Sequence, residues 1–222
     1  MLFWQEPITD SIPGNMQMIL DGRAPRTGQI YVQSRKAYRR LMELGADPAL
    51  VQQKGFVYDF RRPNGHRAQA LICTNSDQLE QCETLVTALP DVQFHIPALT
   101  EMSSKLMGME KHPNVHLYPG VKTAMLNDLF RRCDLYLDIN HGNEIVSAVQ
   151  RAFLNNQVIF AFANTKHNDA VMDQAHIYAP EKASDMIEAI RRTLTGADGF
   201  DQALTAQHTA ALAEERDAFL HI

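Results

Sequence analysis

Apolar and polar positions alternate irregularly up to about residue 65 of this chain and regularly after it. In the regular part, near-continuous apolar runs at 70–73, 92–96, 115–118, 135–139 and 158–162 read as strands buried on both faces. Between them lie stretches with helical spacing. Residues 78–89 place Leu79, Cys82, Leu85, Val86 and Leu89 on one face before Pro90; residues 123–132 do the same with Met125, Leu126, Leu129 and Phe130. Helices are also expected at 101–110, 144–155, 183–194 and 201–220, and a short edge strand at 176–178. Strands that alternate with helices in this way predict an α/β fold built on a parallel sheet. In the irregular part, a turn is expected at Pro13-Gly14-Asn15 and a strand at 29–33. A helix over 35–44 turns Tyr38, Leu41, Met42 and Leu44 to one side and stops at Gly45. A capped turn follows Asp47-Pro48, then a strand at 56–58 and a linker at 61–66.

Four polar clusters follow four of the apolar runs: Thr74-Asn75-Ser76, Thr100 to Lys105 with Ser103, Asn140-His141-Gly142-Asn143-Glu144, and Asn164-Thr165-Lys166-His167-Asn168. In an open parallel sheet the carboxyl ends of the strands share one edge, where ligands usually bind. Thr74, Asn75, Ser76, Thr100, Ser103, Lys105, His141, Gly142, Asn143, Glu144, Asn164 and Lys166 are therefore the candidate ligand contacts. Each has a plainer role beside that one. Asn75 or Ser76 can cap a helix, with Gln78 closing a capping box. Lys105 can be a solvated lysine, and it opposes the dipole of a helix it starts. Glu144 can be a helix-start acid with Asn143 as its cap, and Gly142 allows close backbone approach or a positive φ.

Composition narrows the partners. The 21 basic and 26 acidic residues are interspersed, net −5, which leaves no basic stripe for a nucleic-acid backbone. Cys73, Cys82 and Cys133 form no CxxC pair and read as reduced, buried thiols. No signal peptide opens the sequence, and no apolar run approaches the roughly 20 residues of a membrane span, so a soluble chain is expected. His112 and His116 flank Pro113 without a Cys or Asp to complete a zinc set, and no metal is expected. Asp134 and Asp138 bracket a strand and read as its ends. Arg131-Arg132 and Arg191-Arg192 read as solvated faces, with anionic lipid as the alternative contact. No Gly-x-Gly-x-x-Gly follows a strand, which disfavours a nicotinamide dehydrogenase.

Several segments carry a resemblance: Trp4-Gln5-Glu6, Pro13-Gly14-Asn15-Met16, LICTNSDQ at 71–78, Phe94-His95-Ile96, Thr100-Glu101-Met102-Ser103-Ser104-Lys105-Leu106, and YLDINHGNEI at 136–145. Together they resemble the second half of the accessory Sec-system glycosyltransferase B subunit, within the GT-B superfamily. The resemblance implies a Rossmann-like parallel sheet flanked by helices, the C-terminal domain of a GT-B fold, over residues 66–222. Residues 1–65 would then be a remnant of the N-terminal domain with the hinge. It also implies a cytoplasmic protein, at most peripheral at the inner face of the cell membrane, that works with a catalytic A subunit. That partner transfers N-acetylglucosamine from UDP-N-acetylglucosamine to serine-rich repeat polypeptides, which the B subunit binds. No cofactor follows, only UDP or a UDP-sugar as a ligand. Retaining GT-B enzymes often carry two glutamates eight positions apart; here those positions hold Gly142 and Gln150, so no catalytic residue is assigned and turnover by this chain alone is not expected. The alternatives are a UDP-sugar-dependent GT-B enzyme whose donor is held by Glu144 and Lys105, and a non-enzymatic Rossmann-like interaction module.

Overall fold

A computed structural model describes residues 2–4, 14–21, 23, 30–32, 35–53, 68–195 and 199–220. The chain divides into two compact units: residues 1–58 with 212–222, and residues 59–211. The expected strand at 56–58, the linker at 61–66 and the division between 65 and 66 lie outside the described residues.

The first unit contains β1 (Leu2–Trp4), α1 (Gly14–Leu20), β2 (Ile30–Val32), α2 (Arg35–Glu43) and β3 (Val51–Gln53), with the strands parallel in the order β1-β2-β3. Ile30, Val32, Leu41, Ala46 and Val51 form its core, against which Leu20, Tyr38 and Met42 pack. α2 ends as its sequence predicts: Gly45 takes a left-handed φ of 81°, and the amides of Gly45 and Ala46 turn back to the carbonyls of Met42 and Leu41. Leu44 is exposed rather than on the apolar face. Asp47 caps the turn Pro48–Leu50 by accepting from the Ala49 amide at 3.0 Å.

The second unit carries β4 (Gln69–Leu71), α3 (Cys82–Ala88), β5 (Gln93–Pro97), α4 (Ser104–Met107), β6 (Val115–Tyr118), α5 (Thr123–Arg132), β7 (Leu135–Asp138), α6 (Ala148–Leu154), β8 (Val158–Phe162), β9 (Ile177–Tyr178), α7 (Ala183–Thr195) and the start of α8 (Gly199–Leu220). All six strands are parallel, in the order β6-β5-β4-β7-β8-β9. Counted within the unit this is 3-2-1-4-5-6, the Rossmann order, and the connections change direction between β4 and β7. The apolar runs are strands because both faces are covered. Ile72, Phe94, Ile96, Leu135, Leu137, Phe160 and Phe162 join Leu85, Val86, Met186, Ile190 and Phe200 in one core. On the other face Tyr136 stacks on Phe130, over which the Arg151 guanidinium lies at 4.1 Å.

Buried amides hold the helix ends. Asn114 Nδ2 donates to the carbonyls of Val86, Leu89 and Val92, and Gln157 Nε2 to those of Phe130 and Cys133. β9 lies beside Ala161 and Phe162, with the Ala163 amide donating to the Tyr178 carbonyl, and further back along β8, where β9 does not reach, Gln207 of α8 takes the place of a strand. Its Oε1 accepts from the Ile159 amide at 2.8 Å, and its Nε2 donates to the Gln157 carbonyl at 2.9 Å.

Four sequence expectations are corrected. α3 begins at Cys82, not 78, because residues 78–80 pair with 139–141 instead: the Glu80 amide donates to the Ile139 carbonyl and the His141 amide to that of Gln78. α6 begins at Ala148, not 144, after Val146 and Ser147, both at a φ of 51°. Only Ser104–Met107 of the expected 101–110 helix is α-helical, a 3-10 turn completing it. Met125, expected inward, is 44% exposed. Cys73, Cys82 and Cys133 are free and buried. No helix among the described residues is long and apolar enough to cross a membrane.

Candidate functional site

Where the connections change direction, the carboxyl ends of β4 and β7 lie side by side, and their loops are joined through polar groups. The Thr74 hydroxyl lies 2.9 Å from Asn140 Oδ1 and 2.7 Å from the Ser76 carbonyl, while Asn140 Oδ1 also accepts from the Gly142 amide at 3.0 Å. Thr74 and Asn140 are buried, so each needs the other as a partner. Close approach is what requires Gly142: a Cβ there would come within 3.2 Å of both Ser76 Cβ and Asn140 Oδ1.

The loop after β8 is tied in by two carboxylates. Asp138, 1% exposed, receives the His167 amide on Oδ2 at 2.8 Å and His167 Nδ1 on Oδ1 at 2.7 Å; His167 Nε2 reaches the Gly142 carbonyl at 2.7 Å. Both ring nitrogens face acceptors, so the ring is an imidazolium, and the hydrogen bond to Asp138 pushes its pKa up to about 9. Glu80 Oε2 accepts from Asn164 Nδ2 at 2.9 Å and meets His141 Nε2 at 2.8 Å, bonds that hold its pKa below the usual carboxylate value, that from Asn164 most strongly. Three loops far apart in sequence thus form one braced edge.

Most of the predicted contacts serve this bracing. Asn75 Oδ1 accepts from the Leu99 amide at 2.8 Å and caps no helix; Ser76 Oγ accepts from the Gln78 amide at 3.0 Å. Ser103 caps α4 through the Leu106 amide and donates to Asp77 Oδ2 at 3.2 Å. Glu144 has the plainer of its two expected roles by a longer reach: from the loop before α6 its Oε1 accepts from the Val149 amide at 2.9 Å. Lys166 pairs with Asp169 at 2.5 Å. Thr100, Lys105 and Asn143 are exposed at the same edge. Lys105 lines a cleft of about 490 Å³ with Asp77, Leu79, Leu106, Met109 and Lys111, and Lys111 is paired with Glu83. Glu80, Asp138, Asn140 and His167 are additions to the predicted set. Asn140 and His167 belonged to two of the strand-end polar clusters without being singled out as contacts, Asp138 read as the end of a strand, and Glu80 was hidden inside an expected helix. No group of three or more His, Cys, Asp or Glu among the described residues could hold a metal.

A second polar cluster lies on β5 and β6. His95 Nδ1 is 2.8 Å from the Tyr118 hydroxyl and 3.3 Å from Arg132 Nη2, which also donates to Tyr118 at 3.2 Å; His116 stacks on His95 at 5.0 Å. Burial, then the Arg132 charge, pushes the His95 pKa down to about 4. Arg132 is therefore only partly on a solvated face: its side chain is 37% exposed and one end of its guanidinium is engaged by Tyr118 and His95. Arg131 pairs with Asp128, and Arg191 with Glu188 and the Ala88 carbonyl.

Comparison with known proteins fits this architecture. The chain is 43% identical over 209 residues to the UDP-N-acetylglucosamine–peptide N-acetylglucosaminyltransferase stabilizing protein GtfB of Streptococcus pneumoniae, covering 93% of this chain and 47% of that one. The Streptococcus gordonii protein of the same name is 42% identical, with 93% and 46% covered, so the chain spans about half the length of the curated relatives it matches. It superposes on a chain of the crystal structure of the GtfA/B complex bound to UDP and GlcNAc with a TM-score of 0.70 and 38% identity, over 100% of this chain and 51% of that one. Residues 1–44 match the GtfB third domain. Residues 70–207, which span all of the six-stranded sheet except Gln69, match the GftB/GlyA-F C-terminal domain, and the chain belongs to that family.

Proposed function

We propose that this chain is part of a non-catalytic glycosyltransferase subunit that stabilises a catalytic N-acetylglucosaminyltransferase and binds its serine-rich polypeptide acceptor in the cytoplasm. The observation that carries this reading is the commitment of the edge carboxylates to the fold. Asp138 is held by His167, Glu80 by His141 and Asn164, and Glu144 by the start of α6. The positions where a retaining enzyme would carry its glutamate pair hold Gly142 and Gln150. An acid or base must be within reach of substrate to move a proton, and these are engaged elsewhere. A rigid edge that presents backbone and exposed Thr100, Asn143 and Leu99 suits binding without chemistry.

One observation favours a second reading, in which a UDP-sugar binds. Lys105 has no carboxylate partner among the described residues, and its cleft is of the size that takes small ligands. Calorimetric titration of the chain with a serine-rich repeat polypeptide, with and without N-acetylglucosamine, and with UDP and UDP-N-acetylglucosamine separates the two. Binding of the polypeptide and silence towards nucleotide is the expected result, together with co-elution with the catalytic partner. Release of UDP from UDP-N-acetylglucosamine by this chain alone would overturn it. Co-sedimentation with anionic vesicles tests whether the protein also contacts the membrane face.

A further inference from the structure

The loop between β7 and α6 holds a conformation that its residues do not favour by themselves. Val146 and Ser147 are consecutive left-handed residues, each at a φ of 51°; Val146 is β-branched and 40% exposed, so burial of its side chain compensates only in part. Such backbone persists where its surroundings over-determine it, and it concentrates at binding sites. Two anchors do so here. Downstream, Glu144 accepts from the Val149 amide across the left-handed pair. Upstream, the Gly142 carbonyl accepts from His167 Nε2, while the same ring and its backbone amide grip both oxygens of Asp138. Thr165 Oγ1 donates to the Asp138 carbonyl at 2.7 Å, which fixes the loop that carries His167.

We propose that His167 is the positioning residue of this edge: as an imidazolium bridging Asp138 and the Gly142 carbonyl, it holds loop 139–147 in the strained form that turns Val146 outward to the acceptor polypeptide. This rests on the reading that the edge binds polypeptide. A neutral ring can donate from only one nitrogen, so loss of the proton releases either Asp138 or the loop. The charged groups around the ring are Asp138 on β7 and Glu144 in the loop, and the neighbouring Lys166 is paired with Asp169. All but the lysine favour the proton, which leaves only near pH 9.

The test uses wild type, His167→Gln and Val146→Ala. Amide exchange of residues 140–147 is followed from pH 7 to 10, corrected for the intrinsic rate, alongside titration with the serine-rich repeat polypeptide. In wild type, loop protection and affinity should fall together through about pH 9, each by roughly tenfold, as expected when one hydrogen bond to a charged group is lost. His167→Gln should begin at the low values at pH 7 and show no inflection. Val146→Ala should weaken binding while leaving the inflection in loop protection unchanged. Equal loop protection in His167→Gln and wild type would overturn the proposal. If wild type binds no polypeptide at any pH, the edge-binding reading and the presentation of Val146 to an acceptor are overturned, while an inflection in loop protection that His167→Gln abolishes still shows that His167 positions the loop. Binding of polypeptide with no inflection in wild-type loop protection would overturn the positioning role alone.

Discussion

His95 and His167 sit in polar clusters of the same sheet, one on β5 and one just past β8, and they carry opposite charge states at neutral pH. His95 is 5% exposed and faces the Arg132 guanidinium at 3.3 Å, so burial and a like charge drive it towards the neutral ring, down to about 4. His167 faces the Asp138 carboxylate at 2.7 Å, and the same ring is held protonated to about 9. Burial acts against the charge at both positions. At His95 burial is the larger cause and the Arg132 charge adds to it, whereas at His167 the hydrogen bond to the carboxylate outweighs burial; the partners are set by topology, since Arg132 at the end of α5 reaches His95 on β5, and β7 ends in an aspartate.

The sharpest break of this comparison is Asp138→Asn. Removing a buried carboxylate from a charged partner should cost about 3–5 kcal/mol in urea unfolding and let the His167 pKa fall below 9, observable by NMR. A loss under about 1 kcal/mol would mean that the pair is not what holds the loop. Next in size is the pH dependence. The His95 pKa is depressed on folding, so its contribution is lost as pH falls from about 6.5 to about 4. The His167 pKa is raised, so its contribution is complete below about 6.5 and is lost as pH rises through about 9. Each is worth about 3 kcal/mol, and urea midpoints should therefore pass through a maximum near neutral pH. His95→Gln should remove the acid limb and His167→Gln the alkaline one. Glu80→Gln should cost about 1 kcal/mol and leave both histidine titrations unchanged, since Glu80 braces through His141 and Asn164 alone. Smallest in stability is Arg132→Met, expected to change unfolding by under about 1 kcal/mol while raising the His95 pKa. No rise would show that burial alone depresses it.

The sheet was legible in the sequence because a parallel sheet covered on both faces writes its strands as apolar runs; residues 115–118 and 158–162 match β6 and β8. The carboxyl-edge location followed from the same reasoning. What escaped is long-range. Leu79 is in helical phase with Cys82 and Val86, yet it bridges to Asn140 across the edge, and no local spacing records a partner about sixty residues away. Arg132 looks like the last solvated turn of α5 but, although 37% exposed, also reaches Tyr118 and His95, acceptors that only the strand register brings near. Glu144, expected either as a ligand contact or as a helix-start acid, reaches α6 from four residues outside the helix rather than from its first turn.

The Gln207 carboxamide has a consequence for solubility. β9 is only two residues long, so the preceding part of β8 would otherwise offer free amide and carbonyl groups to any extended chain. By satisfying the Ile159 amide and the Gln157 carbonyl, one buried side chain works as a stopper against edge-to-edge aggregation on the most apolar strand of the sheet, at the cost of a fixed register between α8 and β8.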